Sequence, residues 1–140
     1  MNNSNINRSL VVSTLKSGIH FHEELSTLVK TFGISLPQFN VLRILRGQKD
    51  KTTNLFTINE RMIHRTSNTT RLIDKLINKD YVERVVCEKN RRKIEVNITT
   101  EGLLLLRKID PLINQKEAEL MHSLTINEKE ILKQILTKLT

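Results

Sequence analysis

Apolar residues recur at steps of three and four along most of this chain, and at steps of two in one short stretch. Between Ile6 and Phe32 they fall at Leu10, Val11, Leu15, Ile19, Leu25, Leu28 and Val29, the spacing of one face of a long helix. Gly33 is its natural stop. Ser35 reads as an N-cap, with Pro37 in the first turn, where a missing N–H does no harm. Phe39, Leu42 and either Ile44 or Leu45 then line one face as far as Gly47. The polar run 48–53 reads as a loop. A short helix follows over 55–63, with Leu55, Ile58, Met62 and Ile63 on its inner side. His64-Arg65-Thr66 makes a tight connection, and Thr66 or Ser67 caps a further helix over 67–79. Its apolar stripe is Leu72, Ile73, Leu76 and Ile77. Ser67, Arg71, Asp74, Lys75 and Asn78 point the opposite way.

The period then changes to two. Val82, Arg84 and Val86 alternate with Glu83, Val85 and Cys87, and Ile94, Val96 and Ile98 alternate with Lys93, Glu95 and Asn97. Each run suits a strand, and the charged stretch 88–92 suits a hairpin tip. Thr99 caps a long helix over 100–122, carrying Leu103, Leu106, Ile109, Leu112 or Ile113, and Leu120. Pro111 inside it predicts a kink. Thr125 and Glu128 match a capping box that opens a last helix with Ile131, Leu132, Ile135, Leu136 and Leu139. Two helices joined by a short turn and followed by a β-hairpin describe a winged helix-turn-helix. The expected fold is mainly α with a small β-hairpin wing (α+β), in a single domain over 1–140.

Composition narrows what such a fold can do. Apolar residues make up 38% of the 140, a modest share that suggests apolar surface buried against a partner. A net charge of +8 favours a polyanion, either nucleic acid or an anionic membrane surface. No stretch approaches the roughly 18 apolar residues of a membrane span. The polar, Asn-rich start, 1–8, lacks the layout of a signal peptide, so a cytoplasmic location is expected. Cys87 is the only cysteine, which excludes an internal disulfide and a cysteine-based zinc site. With 4% aromatics and no Trp, stacking platforms for single-stranded nucleic acid are not expected.

The candidate chemistry is recognition. A recognition helix needs an apolar back to dock on its scaffold and a polar front to reach base edges. The first turn of the 67–79 helix offers Ser67, Asn68, Thr70 and Arg71. Asn can pair with adenine, Arg can grip guanine through two hydrogen bonds, and Thr can touch the thymine methyl. Arg65 and Lys75 flank this turn. Lys89, Arg91, Arg92 and Lys93 place four cations at the hairpin tip, where they can hold phosphates or enter the minor groove. Each segment has a plainer reading, a solvated helix face and a charged turn that protects a sheet edge. Their adjacency in winged-helix order favours recognition. Cys87 reads as an inert strand cysteine rather than a redox sensor. His20, His22, His64 and His122 lack metal-site spacing and read as surface or interface residues, with His64 also within reach of a phosphate. Leu103-Leu104-Leu105-Leu106 reads as core and dimer contact. No nucleophile elbow, Gly-rich phosphate loop or carboxylate pair supports catalysis, and no cofactor or metal is expected.

These residues resemble the MarR-type regulators of bacteria and archaea, over about residues 8–138. Leu36 to Leu45 resembles the family's second helix. Glu60-Arg61-Met62 with Thr66 to Leu76 resembles its helix-turn-helix, and Tyr81-Val82-Glu83-Arg84 its first wing strand. Asn90-Arg91-Arg92, then Ile98-Thr99-Thr100-Glu101-Gly102, resembles the wing signature and the next helix start. The resemblance implies a homodimer, with 1–34 and 100–140 as a helical dimerisation region and 35–99 as the DNA-binding lobe. It implies a repressor on a pseudo-palindromic site in double-stranded DNA, released by a small-molecule effector in a cleft for which His22, Phe39 and Arg43 are the candidate residues. Two positions depart from the pattern. Asn90 stands where the family often carries Asp, and Lys79-Asp80 replaces the usual Lys-Gly, at a cost of roughly 1 kcal/mol for a left-handed Asp. A winged helix that binds protein or RNA, and a non-specific architectural DNA binder, are the alternatives. An acidic or apolar recognition face would favour the first, and indifference to sequence the second.

Overall fold

The computed structural model describes residues 2–48, 51–65, 68–86, 89 and 94–140. In chain order the elements are α1 (Asn3–Lys30), α2 (Leu36–Gly47), β1 (Thr53–Asn54), α3 (Leu55–Arg61), α4 (Thr69–Asn78), β2 (Val82–Val86), β3 (Ile94–Ile98), α5 (Thr100–Leu120) and α6 (Ile126–Leu139). By their contacts they form two compact units. One is residues 26–110; the other joins 1–25 to 111–140.

In the first unit, residues 26–110, local capping sets where helices begin. Gly33, at φ +78°, ends the turn after α1 in the left-handed region open to glycine. Ser35 Oγ accepts from the Gln38 N–H at 3.2 Å, and Gln38 Oε1 accepts from the Ser35 N–H at 2.9 Å. This reciprocal box starts α2 with Pro37 in its first turn. Asn54 caps α3 by accepting from the Thr57 N–H at 2.8 Å. Buried Leu42 and Leu45 of α2, Ile58 of α3, Ile73 and Leu76 of α4, and Val96 of β3 make the centre of this unit's core. The sheet order is β1-β3-β2, antiparallel throughout, with Val82 opposite Ile98, Arg84 opposite Val96 and Val86 opposite Ile94.

Three local expectations are corrected. Thr53 is not loop: with Asn54 it forms a two-residue strand on β3, too short to show a period in sequence. Ile63 is not on the inner side of α3 but 88% exposed. The helix ends at Arg61 and Met62 is extended, so the helical phase is lost before Ile63. Helix α4 begins at Thr69 with Asn68 at its N-cap, and the Asn68 side chain makes no capping bond. Thr66 and Ser67, the expected caps, lie outside the described residues.

The turn that delivers β2 is held by backbone. Asp80 has φ 64°, the left-handed conformation expected at the position where Gly is usual. Thr99 Oγ1 donates to the Asp80 carbonyl at 2.6 Å, and the Thr99 N–H donates to the Tyr81 carbonyl at 3.1 Å. The same hydroxyl accepts from the Gly102 N–H at 3.1 Å, capping α5. Gly102 packs against this turn so closely that a Cβ there would lie 2.4 Å from the Tyr81 carbonyl oxygen and 2.7 Å from Ile98 Cγ1.

The second unit, residues 1–25 with 111–140, has much less interior. Ile113 is its only buried apolar residue among those described, and Leu112 beside it is 41% exposed. Leu10, Leu15 and Ile19 on α1, and Ile131, Ile135 and Leu139 on α6, are all exposed. Lys116 of α5 bridges Glu119 at 3.2 Å and Glu24 of α1 at 3.4 Å, and these two carboxylates, Glu119 foremost, raise its pKa. Helix α5 stops at Leu120 rather than His122. Thr125 and Glu128 form the expected box at the start of α6. Among the described residues no helix is long and apolar enough to cross a membrane.

Both the α5 junction and the α6 cap can be tested by substitution. Gly102→Ala forces the α5 start away from a backbone carbonyl that cannot rotate aside. It should lower stability by about 1–3 kcal/mol in denaturant unfolding, and an unchanged midpoint would show that the junction yields freely. The Glu128 carboxyl is held below its ordinary pKa of 4.5 by the hydrogen bond from the Thr125 backbone N–H, with the Thr125 hydroxyl adding to it. A depressed carboxylate pKa stabilises the fold above the unfolded value, and this is lost as pH falls through the folded one. Acidification below 4.5 should fray the start of α6, read from its amide signals by NMR, and Glu128→Gln should abolish that pH dependence.

A candidate nucleic-acid interface

Helix α4 is amphipathic, and its two faces have different jobs. Ile73 and Leu76 are buried while Leu72 and Ile77 are half-buried, so the back is docked. Asn68, Thr70, Arg71, Lys75 and Asn78 are exposed. Two polar contacts lie at Ile63 and at the first residue of this helix. The Ile63 N–H donates to Asn40 Oδ1 of α2 at 3.0 Å, and buried Thr69 donates its hydroxyl to Asn59 Oδ1 of α3 at 2.9 Å. At the far end, the Lys79 ammonium donates to the Gly33 carbonyl. Thus the start of α4 is tied to α3 and its end to the turn after α1, while Ile63, earlier in the chain, is tied to α2.

The sequence-predicted recognition residues fall as follows. Thr70, Arg71 and Lys75 share the exposed side of α4, with Asn68 at its N-cap. Arg71 and Lys75 make no ion pair with any described residue. Arg65 is exposed and pairs with Glu60 at 3.3 Å, so part of its charge is answered within the protein. Lys89 is exposed in the turn after β2. Ser67, Arg91 and Arg92 lie outside the described residues, as do Lys93 and Cys87. Of the candidate effector residues, Phe39 is 3% exposed and the Arg43 guanidinium lies over its ring, 5.5 Å from the centroid. His22 belongs to the other unit.

Several contacts had no signal in the one-dimensional pattern. Arg46 of α2 grips Asp110 of α5 through two hydrogen bonds, at 2.7 and 3.2 Å. Arg84 of β2 pairs with Asp74 on α4. Both join residues far apart in sequence, which period and propensity do not couple. Charge, by contrast, is legible once the unit boundaries are known. Residues 26–110 hold 17 of the 23 Lys and Arg but nine of the 15 Asp and Glu; the other unit holds six of each. The whole net charge of +8 therefore belongs to the unit that carries α4.

Helices α2 to α4 with the β1-β3-β2 sheet define a winged helix-turn-helix protein. Residues 34–94 match the family model described as MarR family. Among curated relatives it is similar to the transcriptional repressor MprA of Escherichia coli K12, at 26% identity over 117 residues, covering 84% of this chain and 66% of that protein. The chain thus spans about two thirds of the length of that relative. Among solved structures it resembles a cysteine-to-serine mutant of MarR from E. coli complexed with operator DNA, with a TM-score of 0.86, 23% identity and 99% of both chains covered. It also resembles BpsR of Bordetella bronchiseptica, whose DNA binding is regulated by 6-hydroxynicotinic acid, with a TM-score of 0.84, 18% identity, and 94% of this chain and 98% of that one covered. At such identities these likenesses show the fold.

The clamp beneath α4 gives its own prediction. Thr69→Val keeps the shape but removes the hydroxyl donated to Asn59, leaving a polar atom short of a partner. Urea unfolding should show a loss of about 1–2 kcal/mol with an unchanged denaturant slope. A wild-type midpoint would mean that the contact carries no weight in positioning α4.

Proposed function

We propose that this chain is a sequence-specific DNA-binding transcriptional repressor that acts as a homodimer on a pseudo-palindromic operator. The observation that carries this reading is the front of α4. Arg71 and Lys75 are exposed there without an ion pair among the described residues, on the unit that holds the entire net charge. A cation already paired inside the protein must break that pair before it can meet DNA; these two need not. Arg71 has the planar fork that reads guanine, Asn68 suits adenine, and Thr70 suits the thymine methyl. Lys75, Arg65 and the tip residues Lys89, Arg91 and Arg92 supply phosphate contacts that fix register. Ser67 would join them at the start of the helix. The repressor MprA and the operator-bound MarR support this reading by likeness.

Unfinished burial supports the homodimer. A unit with one buried apolar residue among those described gains little to offset the conformational entropy of ordering three helical segments. A second copy covering the apolar stripes of α1 and α6 supplies the missing core. Release by a small-molecule effector is the further part of the proposal, on likeness to BpsR. For it, Arg43 over the Phe39 ring offers a cation beside an aromatic ring.

Selection of bound duplexes from a random pool, followed by anisotropy titrations, tests the reading. The wild-type chain should prefer the selected duplex over scrambled DNA at moderate salt. Arg71→Ala should lose about 1–3 kcal/mol, confined to one base pair of each half-site. Arg91→Ala or Arg92→Ala should weaken all duplexes alike and reduce the salt slope by about 0.9 for each phosphate no longer neutralised. Equal weakening of every sequence by Arg71→Ala would sink its base-reading role. A mass that stays monomeric in sedimentation at micromolar concentration would remove the dimer.

A further inference from the structure

A carboxylate stands in the middle of the face that has to meet a polyanion. On α4, Asp74 lies one turn beyond Thr70, one turn before Asn78, and three residues from Arg71. Left alone it would act in two harmful ways. It would repel phosphate, and it would compete for the Arg71 guanidinium at the i,i+3 spacing where helix side chains meet. In the structure Arg84 reaches across from β2 and pairs with it. Both side chains are about half exposed, so the pair sits at the surface where DNA would approach. Arg71 is left without an ion pair among the described residues.

We propose that Arg84 is a positioning residue for DNA recognition: it occupies Asp74 so that the carboxylate neither repels the duplex nor captures Arg71. Its own charge is engaged inside the protein and makes no phosphate contact. The inference rests on the DNA-binding reading of α4 and deepens it. It separates two roles that a count of basic residues would merge. Arg71 is a cation presented to the base edges, and Arg84 is a cation that keeps the presentation clear.

The test is a double-variant cycle of Arg84→Ala, Asp74→Asn and the two combined. Anisotropy would be measured on the selected duplex and a scrambled one, across a salt series, with a thermal melt of each variant. Arg84→Ala should weaken the selected duplex about tenfold with an unchanged salt slope, because every phosphate contact stays in place. Adding Asp74→Asn should restore binding to within about twofold of wild type, and Asp74→Asn alone should bind no more weakly than wild type. Arg84→Lys, which keeps the charge, should stay within about threefold of wild type and carries the test should the alanine variant fail to fold. Three results overturn the inference: Arg84→Ala binding like wild type, a salt slope reduced by about one that the second substitution does not repair, or a double variant as weak as Arg84→Ala. If the wild-type chain binds no duplex, the DNA-binding reading fails and this inference with it. If it binds and the rescue fails, this inference alone falls.

Discussion

An amphipathic helix can offer one face to a ligand only if the other is fixed, and the docking of α4 is the constraint on which this winged unit depends. Burial of Ile73 and Leu76 sets the rotation of the helix about its axis. Apolar contact alone is permissive about translation along that axis, because dispersion and burial have little direction. The directional contacts lie at the ends. Thr69 to Asn59 ties the start to α3, and Lys79 to the Gly33 carbonyl ties the end to the turn after α1. A recognition helix shifted by a fraction of a turn would present different side chains. The polar contacts thus specify geometry, while the core supplies most of the stabilisation.

Charge and apolar surface are divided between the two units in a complementary way. The winged unit has a core and a net charge of +8; the other unit has no net charge and exposed apolar stripes. Self-repulsion opposes association of like-charged bodies over roughly the 8–10 Å Debye length at moderate salt. A homodimer built through an electrically neutral unit avoids bringing the basic surfaces together. On the proposed function, the same separation would leave the basic unit to attract DNA at long range, with specificity decided later by the α4 front.

Legibility in sequence followed the range of the interaction involved. Helices with a long apolar stripe were legible within a few residues, since the 3.6-residue period reports burial directly. The left-handed Asp80 was legible because a turn that normally takes Gly constrains whatever replaces it. Ile63 was misplaced because helical phase was extended two residues too far, past Met62, where the backbone becomes extended. Strand β1 was missed because two residues carry no period, and their strand character comes wholly from pairing with β3. The start of α4 was placed early because Thr66 and Ser67 both look like caps, whereas the structure uses Thr69 as a buried contact to α3. Of the candidate site, the exposure of Arg71 and Lys75 on α4 was readable. That Arg65 is partly committed to Glu60, and Asp74 to Arg84, was not, because ion pairs between elements depend on packing.

The scarcity of buried residues in the unit formed by 1–25 and 111–140 bears on how binding and folding relate. For an isolated chain, helices as amphipathic as α1 and α6 gain little from hydrogen bonding alone, since the unfolded chain bonds to water equally well. Their order has to come from covering apolar surface. On the proposed homodimer, that cover is the partner, so association and ordering of these helices form one equilibrium that depends on protein concentration. The basic unit, with its own core, lies outside that dependence. Each copy would keep a folded α4 whether or not it had a partner, and what dimerisation adds is a second α4 at a set distance. Two weak half-site contacts joined in this way gain affinity through effective concentration, without any new contact to DNA. On that proposal, the sparse interior of one unit and, on the other, Arg71 and Lys75, without an ion pair among the described residues, would both serve the reading of a repeated site.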